Sequence, residues 1–195
     1  HTMNFLAHLF LSGENHQLRL GNFIGDFVKG KKMNTYSPEI IKGIKIHREI
    51  DRFTDSHPIV KNSKIRLRPK YSHYSPVIVD IFYDHFLALH WSDYHQIPLM
   101  EYTESFYKSA LEDKDLLPEA ARNMLTFMQR DNWLFNYQYL EGIHRSLTGM
   151  SHRTSFESKM QEATEDLKKD YALYEADFRL FFPILTQHVS QLILK

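Results

Sequence analysis

Cysteine is absent from this chain. Disulfides, a thiolate nucleophile, iron–sulfur clusters and thiolate zinc sites are thereby excluded, and any metal must be held by histidine and carboxylate. Glycine and proline are scarce, seven of each in 195 residues, and the turn-rich punctuation of an all-β chain is missing. No run approaches the roughly 18 apolar residues of a membrane span. The apolar opening, residues 3–11, is short and lacks a basic flank and a small-residue cleavage site, so it makes a poor signal peptide. The cytoplasm is the expected compartment, with no membrane partner. Net charge is also absent, since 24 Lys and Arg balance 24 Asp and Glu. That balance argues against a generally basic nucleic-acid binder.

What is present is an uneven distribution within that balance. Residues 1–75 hold thirteen Lys and Arg against six Asp and Glu, and the rest of the chain has the opposite excess. Such asymmetry marks either a partner-binding face or ordinary solvated helix faces. Twelve histidines and an aromatic content of 14% stand out. Histidine is the commonest metal ligand and the usual acid–base group near neutral pH. His1 and Thr2, ahead of Met3, read as a tag remnant and are set aside. The length and an ordinary soluble composition suit one domain, residues 1–195.

The pattern predicts an all-α fold, a compact helical bundle. Ser37-Pro38-Glu39 is an N-cap, a proline at the first helical position and a first-turn acid. Ser75-Pro76 repeats the first two ahead of a helix over 77–94. Pro98 and Pro118 open two more. Apolar residues recur at helical spacing, as in Ile40, Ile41, Ile44 and Ile50, and in Val77, Ile78, Ile81, Phe82 and Phe86. The stretch 156–174 is charged with a helical period, and a final helix is expected over 176–193. The expected linker is 62–74; with Lys61 it carries a basic patch of Lys61, Lys64, Arg66, Arg68 and Lys70 that contains no acid.

Four places put His or Asp where a helix should be apolar. His8 lies in NFLAHLFL; a lone histidine there is ordinarily a hydrogen-bonded core residue. Asp26 lies in LGNFIGDFVKG among Phe23, Ile24, Phe27 and Val28, where an unpartnered charge is costly unless the aspartate caps a turn. Gly21 and Gly25, four apart, point to close approach by another helix or a ligand. In GIKIHREIDRFTD, His47 and Asp51 share a helix face and Asp55 continues the row. That spacing fits two ligands, a ligand with its orienting carboxylate, or a surface pair. Arg48 and Arg52 lie on the adjacent row, with forks suited to phosphate. Finally, VIVDIFYDHFLALHW sets Asp80, Asp84 and His85 in a strongly apolar helix, where a buried ion pair stabilises weakly. The set expected to bind metal is Asp26, His47, Asp84 and His85, with Asp51, Asp80 and His8 similar in type. Such nitrogen and oxygen ligands suit Mn²⁺, Mg²⁺, Fe²⁺ or Zn²⁺. A divalent cation in an open helical site polarises phosphoryl oxygens and acidifies water.

At these residues the sequence resembles the bacterial acyl carrier protein phosphodiesterases, a divergent branch of the HD-type helical phosphohydrolases. The segments that carry the resemblance are MNFLAHLFL, GNFIGDFVKG, GIKIHREIDRFTD, DIFYDHFLALHW and GMSHR, in that order. The resemblance implies an HD-like bundle and a Mn²⁺-dependent hydrolase that removes 4′-phosphopantetheine from holo-acyl carrier protein. The usual HD dyad is His-Asp; here Asp84-His85 is reversed. Asp26, His47, Arg48 and Asp51 are then the expected catalytic residues, with Arg48 or Lys29 on a non-bridging oxygen. Acyl carrier proteins are acidic, so Lys29, Lys31, Lys32, Lys64, Arg66 and Arg68 are expected to bind the substrate protein. The alternatives are an HD-type phosphohydrolase of nucleotides or other small phosphoesters, and a non-catalytic helical module that binds acidic carrier proteins.

Overall fold

The computed structural model describes residues 4–195. The expected tag remnant, His1 and Thr2, lies outside the described residues. Among these residues the chain is all-α, with eleven α-helices joined by short turns and no strand. They are α1 (Phe5–Leu11), α2 (His16–Ile24), α3 (Pro38–Ser56), α4 (Pro58–Tyr71), α5 (Ser75–Leu89), α6 (Leu99–Glu112), α7 (Glu119–Asp131), α8 (Trp133–Asn136), α9 (Leu140–Ser151), α10 (Ala163–Lys169) and α11 (Tyr171–Leu194). No helix among the described residues is long and apolar enough to cross a membrane.

Local chemistry sets many of the helix starts. Ser37 accepts from the Ile40 N–H, and Pro38 opens α3. Asn15 Oδ1 accepts from the Leu18 N–H and starts α2. Helix α5 is buried on nearly every side, from Ile81 through Ala88. It packs against α1, α4, α9 and α11. Phe178 and Phe182 of α11 stack on each other, and Phe178, Phe181 and Phe182 pack against Phe86, Tyr83 and Phe10 respectively.

Helices α2 and α3 make the closest crossing. A Cβ on Gly21 would stand 2.1 Å from the Ile40 carbonyl oxygen, and one on Gly43 2.3 Å from that of Leu18. Only hydrogen fits at either position. The glycine spacing therefore marks a helix contact, and it brings the histidine face of α3 against α2.

Three expectations are corrected. The stretch 62–74 is not a linker: most of it belongs to α4, whose Val60, Ser63, Leu67 and Tyr71 face the core. Its charge masked a helix with an apolar stripe. Ser75 lies inside α5 and turns its hydroxyl back to the Ser72 carbonyl, 2.8 Å away. The charged stretch 156–174 begins irregularly and continues through α10 into the start of α11.

Candidate metal centre

Helices α1, α2 and α3 converge on two stacked imidazoles. His8 of α1 and His47 of α3 lie with ring centroids 4.0 Å apart and planes 17° apart. Both are almost completely buried, at 1% and 2% exposure. Helix α2 makes room for this. A Cβ on Gly25 would come within 2.3 Å of His47 Cγ, so the ring rests directly against the end of α2.

Asn22 fixes which nitrogen of each ring is available. Its amide nitrogen donates to the His8 carbonyl at 2.9 Å and to Ser12 Oγ at 2.8 Å. The amide oxygen therefore faces the rings, 2.7 Å from His8 Nδ1 and 3.2 Å from His47 Nδ1. The Asn22 backbone carbonyl lies 2.8 Å from His47 Nδ1. These oxygens only accept, so both Nδ1 atoms carry hydrogen. Each neutral ring then presents a lone pair at Nε2, the arrangement that outer hydrogen bonds impose on metal-binding histidine.

Carboxylates face those lone pairs. His47 Nε2 lies 3.0 Å from Asp26 Oδ1 and 3.2 Å from Asp51 Oδ2. His8 Nε2 lies 3.1 Å from Asp51 Oδ1. The ligand atoms of His8, His47 and Asp51 all fall within 4.8 Å of one another, a group that could hold a metal ion. His47 Nε2 is buried and makes no hydrogen bond of ordinary geometry. Electron-rich atoms meeting this way require a shared cation. Without metal, a proton on the His47 ring meets that need: burial alone would lower His47, but Asp26 and Asp51 raise it to about 10. Burial opposes charge on Asp51, and His8 and His47 still hold its carboxyl far below the usual range. Asp26 and Asp51 are only partly buried, so the centre is reachable from solvent.

Replacing Asn22 with alanine should weaken Mn²⁺ binding about 10- to 100-fold, as loss of an orienting partner typically does. Calorimetric titration checks this. Unchanged affinity would show that Asn22 only packs.

The structure brings Asp26, His47 and Asp51 together as the sequence suggested. Asp84 and His85, expected as ligands, lie outside the group of His8, His47 and Asp51. Asp84 is fully buried and accepts from the Leu6 and Ala7 N–H groups, both at 2.9 Å. It caps α1 from a neighbouring helix, supplying what the Asn4 side chain does not. His85 spends both ring nitrogens elsewhere, at 2.8 Å from the Tyr137 carbonyl and 2.7 Å from the Tyr171 hydroxyl. Burial lowers its pKa.

The expected docking cations divide. Lys29, Lys31 and Lys32 are exposed, as are Lys61 and Arg68. Lys64 is buried and bound to Asp55 at 2.8 Å. Arg66 pairs with Asp177 at 2.8 Å, covers the Tyr174 ring and joins a network through Ser63 and Tyr83. Lys64 and Arg66, expected to meet the substrate protein, are thus engaged in ion pairs that tie α4 to α3 and α11. Arg48 is exposed and donates to the Val28 carbonyl at 3.2 Å, beside the Asp26 turn.

Two site residues were underweighted by sequence reasoning, His8 as a core residue and Asn22 altogether. One signal was available for Asn22: an amide side chain between Gly21 and Gly25 on a face about to be covered.

Two histidines and two carboxylates gathered by three helices define a helical protein with a candidate divalent-cation centre. The family model described as acyl carrier protein phosphodiesterase matches residues 3–185, and the chain belongs to this family. Similar proteins bearing that name include one from Klebsiella pneumoniae (strain 342), 35% identical over 93% of this chain and 94% of the relative. Another, from Photorhabdus laumondii, is 32% identical over 95% of this chain and 94% of the relative. A third, from Escherichia coli O6:H1, is 30% identical over 97% of this chain and 98% of the relative. No solved structure matches the chain.

Proposed function

We propose that this chain is a metal-dependent phosphodiesterase that removes 4′-phosphopantetheine from holo-acyl carrier protein, leaving the apo-protein. The carrying observation is the gathering of the His8 and His47 ligand nitrogens and an Asp51 oxygen within 4.8 Å of one another, with Asp26 beside His47 and both Nδ1 atoms pinned by Asn22. The printed names of the relatives supply the substrate.

His8, His47, Asp51 and Asp26 would hold the ion. Their mixed nitrogen and oxygen character suits Mn²⁺, with Mg²⁺ and Fe²⁺ as other candidates. When bound, the ion supplies Lewis-acid charge to the phosphoryl group and acidifies water. The chain's own residues do the positioning. Asn22 keeps both imidazoles in one tautomer, and Gly25 lets His47 sit against α2. Arg48, tethered to the Val28 carbonyl, offers its remaining N–H groups to a non-bridging oxygen. In the reaction a water oxygen bonds to phosphorus, the bond from phosphorus to the carrier serine oxygen breaks, and that oxygen takes a proton.

Lys29, Lys31 and Lys32 follow the Asp26 turn and face solvent, which suits an acidic protein. Lys61 and Arg68 add exposed charge on α4. On this reading the enzyme works in the cytoplasm as one helical unit, and its partner is an acidic protein rather than nucleic acid or membrane.

The test is incubation with holo-carrier and Mn²⁺, followed by mass spectrometry of the carrier. Loss of the phosphopantetheine mass, blocked by a chelator, supports the reading. An untouched carrier across several metals, with phosphate released from a nucleotide panel, would replace it with a small-phosphoester hydrolase. Docking has its own check. Lys31→Ala with Lys32→Ala should raise KM several-fold, leave kcat unchanged and flatten the dependence on ionic strength. Lys64→Ala should instead lower the melting temperature.

A further inference from the structure

Asp80 lies one turn before Asp84 on α5. It makes no hydrogen bond or ion pair among the described residues. The largest charge effects on it come from the carboxylates of Asp51, Asp84, Asp55 and Asp26. Burial and this company push its carboxyl well above the usual range.

Two neutral oxygens nearby are also spare. Asn4 Oδ1 and Thr54 Oγ1 are buried without a hydrogen-bond partner, in residues only 6% and 8% exposed. Both absences depart from habit. An N-cap asparagine ordinarily accepts from the first turn, but Asp84 already holds those N–H groups. A helical threonine ordinarily donates to the carbonyl four residues back, as Thr126 and Thr186 do here. Asn4, Asp51, Thr54 and Asp80 supply polar groups to one small cavity of about 20 Å³, the rest of whose lining is apolar and aromatic, from Ala7, Ile50, Tyr83 and α11. That is room for one ion or one water. Asp51, Thr54 and Asp80 also border a wider groove of about 420 Å³, which Arg52, Lys64 and His73 line as well.

We propose that Asp80, Asp51, Asn4 Oδ1 and Thr54 Oγ1 form a second cation site beside the histidine centre, with Asp51 shared between the two. Its ligands are all oxygen, two of them carboxylates, which selects a hard divalent ion such as Mg²⁺ or Mn²⁺. The sharing of Asp51 rests on the reading that the histidine centre also holds an ion. The two Asp51 oxygens already face different histidines, so this carboxylate can serve more than one neighbour.

Equilibrium dialysis against Mn²⁺ with elemental analysis counts the ions, and electron paramagnetic resonance reports whether two Mn²⁺ ions are coupled. The wild-type chain is expected to bind two ions with a coupled signal, and Asp80→Asn one ion with an uncoupled signal. One ion in both proteins overturns the second site and leaves the histidine centre standing. Two ions in both overturns the assignment of Asp80. No ion in either overturns this site and the metal centre together. Circular dichroism confirms that Asp80→Asn folds; if it does not, Thr54→Val takes its place with the same expected loss of one ion. Should Thr54→Val keep two coupled ions, the site does not exist as drawn.

Discussion

His8→Gln should weaken ion binding at the histidine centre and lower kcat/KM for holo-acyl carrier protein by about three orders of magnitude. Phosphoryl charge stabilisation by a bound ion is worth several kcal/mol, and each ~1.4 kcal/mol is tenfold in rate. Glutamine keeps bulk and polarity but offers a weakly basic amide oxygen in place of the imidazole Nε2 that faces Asp51, 3.1 Å away. His47→Gln should be at least as severe and also less stable, since His47 separates Asp26 from Asp51. His8 faces one carboxylate and is the cleaner test. Steady-state kinetics and Mn²⁺ titration read the two effects separately. Activity within tenfold of wild type and unchanged Mn²⁺ affinity would return His8 to the core role that its apolar helix suggests.

Asp84→Ala should act on stability rather than on metal coordination. Its carboxylate is the acceptor for two buried N–H groups at the start of α1. Each orphaned donor costs about 1–3 kcal/mol, partly offset because a buried carboxyl no longer has to be accommodated. A net loss of about 2–4 kcal/mol is expected, read as a lower urea midpoint at an unchanged slope. Asp84→Asn, which keeps one accepting oxygen, should fall between. Because α1 carries His8, weaker ion binding should follow only under conditions that fray α1. Loss of an ion from a fully stable Asp84→Ala protein would make Asp84 a ligand instead.

The helices were legible because apolar residues recur at helical spacing and serine–proline pairs mark starts, as at Ser37-Pro38. The basic stretch of α4 was not legible as a helix. Its Lys and Arg outnumber its core-facing residues, and Lys64 and Arg66 find their acids only when Asp55 and Asp177 arrive from other parts of the chain. Within the site, His47 and Asp51 were readable because four residues make one helical turn. His8 and Asn22 were not, since the contact between α1 and α2 joins residues 14 apart with no periodic signature.

By itself, the sequence determined an all-helical chain without thiolate chemistry, any metal being left to nitrogen and oxygen, and it placed His47 and Asp51 on one face. The tertiary structure decided which polar residues on apolar faces belong together. A buried aspartate can lower its cost by accepting N–H groups at the end of a neighbouring helix or by sharing a cation with histidine, and one turn of sequence looks the same in either case. Asp84 meets the open start of α1 and became a cap, whereas Asp51 meets two imidazoles whose hydrogens Asn22 has already turned away.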